Sequence, residues 1–461
     1  MKIGLISLGC PKNLVDSEVM LGQLAAAGHD ITPDERAAEA IIVNTCCFIE
    51  PAREESAQAV GEALALKRRG RCRLVIIAGC WPQREGARLA ERFPGVDALV
   101  GVSDFPRIAA ILDELSPPAS RAEPVLRISA PWYLYGDDTP RLLATAPWTA
   151  YVKIAEGCDH RCAFCVIPQL RGPLRSRPLG SVVAEAQNLA QRGVKEVNLV
   201  AQDTTAYGRD LYGDPSTGSG SPRARSRGEA RICELLRRLA AVEGLRWLRL
   251  MYCFPTEVDD DLIGLLRDEP KLCEYIDLPI QHSEREVLRA MRRPGSGARY
   301  LELIERLRAQ VRGIAVRTSI VVGFPGETGE QFEALLEFLA AARFDRVGAF
   351  VYSREEGTPA ARLARQVPPE QARERYRRVM ELQQGISLHL NQAWVGAEIE
   401  VLVEAAADRP FAWRGRSRRD APEIDGVVYL RGRDARPGEM VRARITGARE
   451  YDLEGEIVGA P

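Results

Sequence analysis

The densest chemistry in the chain lies in Glu156-Gly157-Cys158-Asp159-His160-Arg161-Cys162-Ala163-Phe164-Cys165. The C-x3-C-x2-C spacing puts three thiolates on one tight loop. Three sulfur ligands suit a [4Fe–4S] cluster that leaves one iron open for a substrate or cofactor. The alternative is structural zinc, but zinc normally takes four protein ligands, and no fourth Cys or His stands at a matching spacing. Gly157 lets the loop curl around its contents. His160 falls between two ligands and reads as a loop residue.

Three further cysteines share a context. Leu8-Gly9-Cys10, Asn44-Thr45-Cys46 and Ala78-Gly79-Cys80 each close a short apolar run. If those runs are parallel strands, their C-terminal ends share one sheet edge, where ligands usually bind. The thiols of Cys10, Cys46 and Cys80 then meet. The competing reading is three cysteines packed separately under loops. Cys72, Cys233, Cys253 and Cys273 lie singly among apolar neighbours and read as small core residues. The total of 11 cysteines is odd, in a long chain with no export signal. Closely set thiols therefore point to metal or catalysis rather than to disulfides.

The elements that must carry these loops fall into three blocks. Over residues 1–126, strands at 2–8, 40–44 and 73–78 alternate with helices at 17–27 and 51–69, the pattern of a parallel-sheet α/β domain. Residues 127–147 are proline-rich and aperiodic, a linker or an irregular wrap, and the proline run begins upstream with Pro117 and Pro118. Over residues 148–378, six strands alternate with helical stretches: 149–154, 196–201, 245–252, 275–279, 315–322 and 346–352. That suggests a partial or full parallel (β/α) barrel, with the Cys158 loop after its first strand, on the active face. A Gly/Ser/Pro/Arg-rich insertion at 214–229 is expected on the surface. Residues 379–461 follow from a charged helix at 369–390. Short runs at 398–404, 426–430, 440–448 and 455–458 suggest a small antiparallel β-barrel.

Size and charge narrow the function classes. At 461 residues the chain exceeds what one hydrophobic core usually supports. Its formal net charge is −1, which argues against a nucleic-acid binder working by bulk charge. No apolar run approaches a membrane span, and the N-terminal segment reads as a strand rather than a signal peptide. A cytoplasmic protein is expected.

The cysteine loop, with aromatic Phe164 before its last ligand, resembles that of the radical S-adenosylmethionine (SAM) superfamily. With a cysteine-bearing N-terminal domain and a small C-terminal barrel of the TRAM type, the whole chain resembles the radical SAM methylthiotransferases. Gly9-Cys10-Pro11-Lys12-Asn13-Leu14-Val15-Asp16-Ser17-Glu18 is similar to the RimO type, as are Gln202-Asp203-Thr204-Thr205-Ala206-Tyr207-Gly208 and Asp420-Ala421-Pro422-Glu423-Ile424-Asp425-Gly426. The resemblance implies two [4Fe–4S] clusters. One sits on Cys158, Cys162 and Cys165 and cleaves SAM to a 5′-deoxyadenosyl radical; the other sits on Cys10, Cys46 and Cys80. Cys47 matches no ligand position. SAM is implied twice, as methyl donor and as radical source. The implied reaction replaces hydrogen with a methylthio group on the β-carbon of an aspartate in small-subunit ribosomal protein S12. Electrons are implied to come from a small carrier of flavodoxin or ferredoxin type. The alternative within the family is a tRNA adenosine methylthiotransferase. From another class, a non-catalytic iron–sulfur scaffold or electron carrier leaves the barrel unexplained.

Around SAM, the expected contacts are Phe164, Gln202, Gln281, Arg317, Gly323 and Glu327. His282 reads as a structural hydrogen-bonding residue. The bland reading of Gly323-Phe324-Pro325-Gly326-Glu327 is a strand-to-helix turn capped by Thr328. From Trp394 to Pro461 there are 11 Arg, no Lys and 13 Asp or Glu. This acidic balance suggests that Glu398, Glu400, Glu404, Asp420, Glu423 and Asp425 dock a basic protein surface rather than tRNA.

Overall fold

The computed structural model describes residues 1–116, 123–211, 231–432 and 434–459. The insertion expected at 214–229, together with Pro117 and Pro118, lies outside the described residues. The N-terminal unit is a parallel sheet of six strands: β1 (Lys2–Ser7), β2 (Asp30–Ile31), β3 (Ala40–Thr45), β4 (Leu74–Gly79), β5 (Ala98–Val100) and β6 (Val125–Arg127). Their order is β2-β1-β3-β4-β5-β6. β3 and β4 are buried at every position, as strands covered on both faces must be. The pattern of apolar residues shows only three of the six, because β2, β5 and β6, at two or three residues each, are too short to carry a period. The strand order reverses between β1 and β3, so a crevice opens beyond their C-terminal ends. Cys10 and Cys46 follow those two strands.

The first helix, Pro11–Ala26, starts at Pro11 rather than at residue 17. Proline at the first helical position costs nothing, because its missing N–H would be unpaired anyway. The periodic signal failed because this helix buries Lys12, Asn13, Asp16, Ser17 and Glu18. Its polar face is an interior face.

The central unit holds β7 (Thr149–Lys153), a short antiparallel pair β8 (Ala155–Glu156) and β9 (Arg175–Ser176), then β10 (Glu196–Val200), β11 (Trp247–Leu250), β12 (Tyr275–Asp277), β13 (Ala315–Val322) and β14 (Arg346–Val351). The parallel strands run β7-β10-β11, then β12-β13-β14. The two halves join where Leu248 pairs with Leu272 and the Cys253 N–H donates to the Asp277 carbonyl at 2.9 Å. Among the described residues β7 and β14 are not paired with each other, so the barrel is partial.

Residues 128–147 run without helix or strand, yet they are pinned. Arg141 donates to Glu18 of the first helix at 2.5 Å and to Glu185 of helix Leu179–Gln191 at 2.5 Å. Tyr135 accepts the Lys153 N–H at 3.1 Å. The segment is a strap between the N-terminal and central units.

The C-terminal unit is a closed barrel of β15 (Glu398–Ala406), β16 (Trp413–Ser417), β17 (Val428–Arg431), β19 (Leu453–Gly459) and β18 (Met440–Ala448), in that order around the ring. Two expectations are corrected here. β16 carries little apolar signal: beyond the half-buried Trp413, its buried side chains are Arg416 and Ser417. β17 and β19 pair in parallel, so the barrel is not wholly antiparallel. It closes the N-terminal ends of the central strands: Arg416 meets Glu196 at 2.5 Å, Asp420 meets Arg346 at 2.8 Å, and Asp425 accepts from the Tyr275 hydroxyl at 2.7 Å. Glu400 accepts from Trp247 at 2.8 Å, and Glu404 pairs with Arg416 at 2.7 Å. Glu398 pairs with Arg444 at 2.8 Å across the barrel's own strands. The expectation that these acids offer a docking surface is therefore corrected for Glu400, Glu404, Asp420 and Asp425, which are held in internal pairs. Of the six, Glu398 and Glu423 are exposed, while Asp420 and the Asp425 side chain are buried in internal seams.

Candidate functional site

Two groups of thiols face the same seam between the N-terminal sheet edge and the C-terminal mouth of the central barrel. Cys10 caps the helix Pro11–Ala26, Cys46 follows β3, and Cys80 opens the short helix Cys80–Glu85. A Cβ on Gly9 would stand 3.0 Å from the Cys46 sulfur, which shows how closely the first two loops approach. Burial pushes the Cys46 thiol up to about 12, and the neighbouring thiols Cys80 and Cys10 push the same way. Cys47 points elsewhere: it is fully buried, and its thiol donates to the Cys80 carbonyl at 3.2 Å.

Cys158, Cys162 and Cys165 follow β8. Gly157 has φ +82°, and a Cβ there would stand 2.0 Å from the Pro173 carbonyl oxygen, so only glycine fits. The loop is closed by Cys158 N–H to the Gly172 carbonyl at 3.1 Å and by Ala163 N–H to the Met291 carbonyl at 2.8 Å. Burial, reinforced by neighbouring thiols, pushes Cys158 and Cys165 up to about 12. His160 stacks on Phe254 with ring centroids 3.9 Å apart and bonds Asp203 at 2.7 Å, a supporting role for the loop. Among the described residues no group of three His, Cys, Asp or Glu converges on a single-ion site. Ligands to a cluster each bind a separate iron and need no such convergence.

A buried charge network ties the two thiol groups together. Arg171 donates to the Cys80 sulfur at 3.2 Å, to Asp16 at 2.5 Å, to Glu156 at 3.0 Å and to the Asn13 side-chain oxygen at 3.1 Å. Lys153 pairs with Asp16 and, at 2.6 Å, with Glu156. Burial lowers the proton affinity of Arg171, but Cys80, Glu156 and Asp16 outweigh it and hold the guanidinium firmly charged. Burial favours a neutral Glu156, and Arg171 and Lys153 reverse this and keep it ionised. Lys12 lies 3.3 Å from the centroid of the Tyr252 ring. Tyr252 and Gln281 both hold left-handed backbone, at φ +60° and +71°. Strain of this kind in non-glycine residues concentrates at functional sites.

Sequence reasoning missed Lys12, Asp16, Lys153, Glu156 and Arg171. The available signal was Lys153 within the apolar run of β7, a buried charge that demands partners.

The expected SAM contacts divide. Gln202 donates to Glu156 at 2.5 Å, and its side-chain oxygen is buried with no partner, a free acceptor beside the cysteine loop. Phe164 packs half-buried against the cluster of Ala163, Val287, Met291 and Phe324. Gln281 lies on the strained rim. Arg317 is placed lower: it pairs with Asp277 at 2.9 Å and with Asp425 of the C-terminal barrel at 3.5 Å. Glu327 turns inward, accepting from the Gly323 and Phe324 N–H groups and pairing with Arg375 at 3.1 Å. His282 Nε2 faces the same carboxylate at 3.5 Å. Gly323 makes room for Ala372, whose Cβ would stand 2.5 Å from a Cβ there. Thr328 caps helix Gly329–Ala342 in a capping box with Gln331. The turn's contacts are those of a helix entry.

Comparison with known proteins agrees with this geometry. Residues 2–101 match the model described as Uncharacterized protein family UPF0004, residues 152–339 the Radical SAM superfamily and residues 395–458 the TRAM domain. Among solved structures, the radical S-adenosylmethionine methyltransferase TsrM from Kitasatospora setae has a similar fold, with a TM-score of 0.55 at 15% identity, covering 86% of this chain and 78% of that one. The ribosomal protein uS12 methylthiotransferase RimO of Heliobacterium modesticaldum is 48% identical, covering 100% of this chain and 96% of that protein. The RimO of Geobacter sulfurreducens is also 48% identical, covering 99% of this chain and 98% of that protein. Identity of this order along the whole length means that the chain belongs to the ribosomal protein uS12 methylthiotransferase RimO family.

Proposed function

We propose that this chain methylthiolates the β-carbon of an aspartate in ribosomal protein S12, in the cytoplasm, using two [4Fe–4S] clusters and SAM as both methyl donor and radical source. The superfamily match brings an iron–sulfur cluster and SAM with it. The observation that carries the finer reading is the pair of thiol triads facing one seam and linked through Arg171, Asp16 and Glu156. Among the described residues no helix is long and apolar enough to cross a membrane.

When bound, the cofactors supply one-electron cleavage that removes hydrogen from an unactivated C–H bond, which no side-chain acid or base can do. The chain's own residues hold and shield that chemistry. Cys158, Cys162 and Cys165 would be the ligands on the barrel mouth, and Cys10, Cys46 and Cys80 those on the sheet edge. Gln202 would offer its free oxygen to the amino group of SAM, and Gln281 on the strained rim would contact the same ligand. Arg171 holds the Cys80 loop against the Glu156 strand, so that the side that would donate sulfur and the side that would abstract hydrogen stay in register. Tyr151, Met251 and Tyr275 are buried in one apolar cluster with Leu402, Ala421 and Met440 of the C-terminal barrel, a packed floor that keeps water out from below.

Anaerobic reconstitution followed by mass spectrometry tests this. S12 should gain the mass of SCH3 in place of H on one aspartate, and tRNA nucleosides should not. Modified adenosine with unmodified S12 would reverse the substrate.

A further inference from the structure

The chain is almost neutral overall, yet residues 285–299 hold five arginines and a single acid, Glu286. They line a cleft of about 520 Å³ formed by Arg285, Arg289, Arg292, Arg293, Gly295 and Arg299. Arg285, Arg289, Arg292 and Arg299 are exposed. None of these four is paired with a carboxylate among the described residues, in a protein where most buried or half-buried arginines are paired. Uncompensated positive charge gathered on one rim costs self-repulsion and has no use within the fold.

The inner wall of the cleft reaches the cysteine loop. Arg293 lies 3.6 Å from the Cys162 sulfur, donates to the Pro279 carbonyl at 2.6 Å and stacks over Phe254 at 4.4 Å. Met291, in the same segment, holds the Ala163 N–H. One short stretch of chain therefore presents a cationic surface to solvent and touches a proposed cluster ligand from behind. An anionic nucleic acid gains nothing from contact with Cys162. A protein that must hand over an electron does, because transfer falls steeply with distance.

We propose that this arginine cleft is the docking surface for an acidic one-electron carrier protein that reduces the cluster on Cys158, Cys162 and Cys165. The proposal rests on the functional reading above, since it presumes that cluster. One electron leaves the reduced carrier and enters the cluster. The carrier is oxidised by one electron, the cluster is reduced by one, and no bond or proton moves. Charge complementarity sets the encounter rate and orientation, and salt weakens it.

The test uses the full reconstituted chain with flavodoxin, an acidic flavin protein, as probe. Arg285→Glu, Arg289→Glu and Arg299→Glu are combined, leaving Arg293 untouched. Flavodoxin binding, measured by calorimetry at low salt, should weaken about ten-fold or more in the variant. Cluster reduction by reduced flavodoxin should slow by a similar factor, while reduction by dithionite stays at the wild-type rate. Unchanged flavodoxin affinity in the variant overturns the proposal. So does an equal loss with dithionite, which would make these arginines supports of the cluster. Reversal-sensitive binding of a double-stranded RNA oligonucleotide without flavodoxin binding overturns it too, in favour of RNA. S12 modification driven by dithionite reads the proposed function separately. If that fails while flavodoxin binding remains reversal-sensitive, the docking surface stands and the substrate assignment falls.

Discussion

Arg171 and Cys80 meet at 3.2 Å across the boundary between two domains, one side of the guanidinium on the sulfur and the other on Glu156, two residues before Cys158. A single side chain thus touches a proposed ligand of one cluster and the strand that delivers the ligands of the other. The five donors of arginine in a rigid fork suit this position, and lysine offers no equivalent. Removing the guanidinium leaves Asp16 and Glu156 buried with Lys153 as their remaining cation. Arg171→Met should therefore destabilise the chain by about 3–5 kcal/mol, the usual cost of breaking a buried pair from one side. Denaturant unfolding reads this. Combining it with Asp16→Asn should cost less than the sum of the two, because the pair shares one network.

Ligand assignment gives the second expectation. Reconstituted protein should bind about eight irons, two clusters of four. Replacing Cys158, Cys162 and Cys165 with Ala should halve the iron and abolish SAM cleavage. Replacing Cys10, Cys46 and Cys80 should also halve the iron but leave cleavage to 5′-deoxyadenosine. Cys47→Ala should leave the iron unchanged, since that thiol lies in the core and bonds a backbone carbonyl. Full iron in either triple variant would show the ligands to be misassigned.

Much of this site was legible before any coordinates, and the reasons are specific. The cysteine loop is local: its spacing is written in eight consecutive residues, from Cys158 to Cys165. The convergence of Cys10, Cys46 and Cys80 followed from parallel strands having a common C-terminal edge. What stayed hidden depends on pairing between distant segments. Asp425 read as a docking acid in the C-terminal block, yet it is buried against the central barrel, as is Arg416. Arg141 sat in an apparent linker and proves to be a strap residue between two domains. The turn at Gly323 to Glu327 looked suited to a nucleotide, but Gly323 is small because a helix crosses there, and one oxygen of Glu327 is taken by its own loop and by Arg375 of that helix. Periodicity locates apolar faces; it cannot see a polar face turned inward.

Thiol ionisation gives a third expectation. Burial holds Cys46, Cys158 and Cys165 up at about 12, so without metal they are protonated at neutral pH. Only thiolates bind iron, and cluster loading must expel those protons. Reconstitution in weakly buffered solution should therefore acidify the medium as these three thiols give up their protons. Cluster assembly should also strengthen as pH rises from 7 towards 9. A pH-independent iron uptake with no proton release would mean that the thiols were already ionised.

The last expectation concerns the seam that closes the barrel floor. Glu196, the first residue of β10, is fully buried between Arg249 at 3.1 Å and Arg416 at 2.5 Å. Burial pushes its carboxyl up, but the two guanidinium groups outweigh burial and bring it down from 4.5 to about 2. A folded-state value below the unfolded one means that the charged form favours the fold. The stabilisation is fully present above pH 4.5 and is lost as pH falls from 4.5 towards 2. Since Arg416 belongs to the C-terminal barrel, acidification in that window should loosen its seat on the central unit before the interior strands open. Hydrogen exchange at β16 should accelerate first. Glu196→Gln leaves two buried cations without their shared anion and should cost about 3–5 kcal/mol at neutral pH. It should also flatten the stability profile between pH 4.5 and 2. A variant that kept the wild-type slope through that interval would assign the acid sensitivity to other carboxylates.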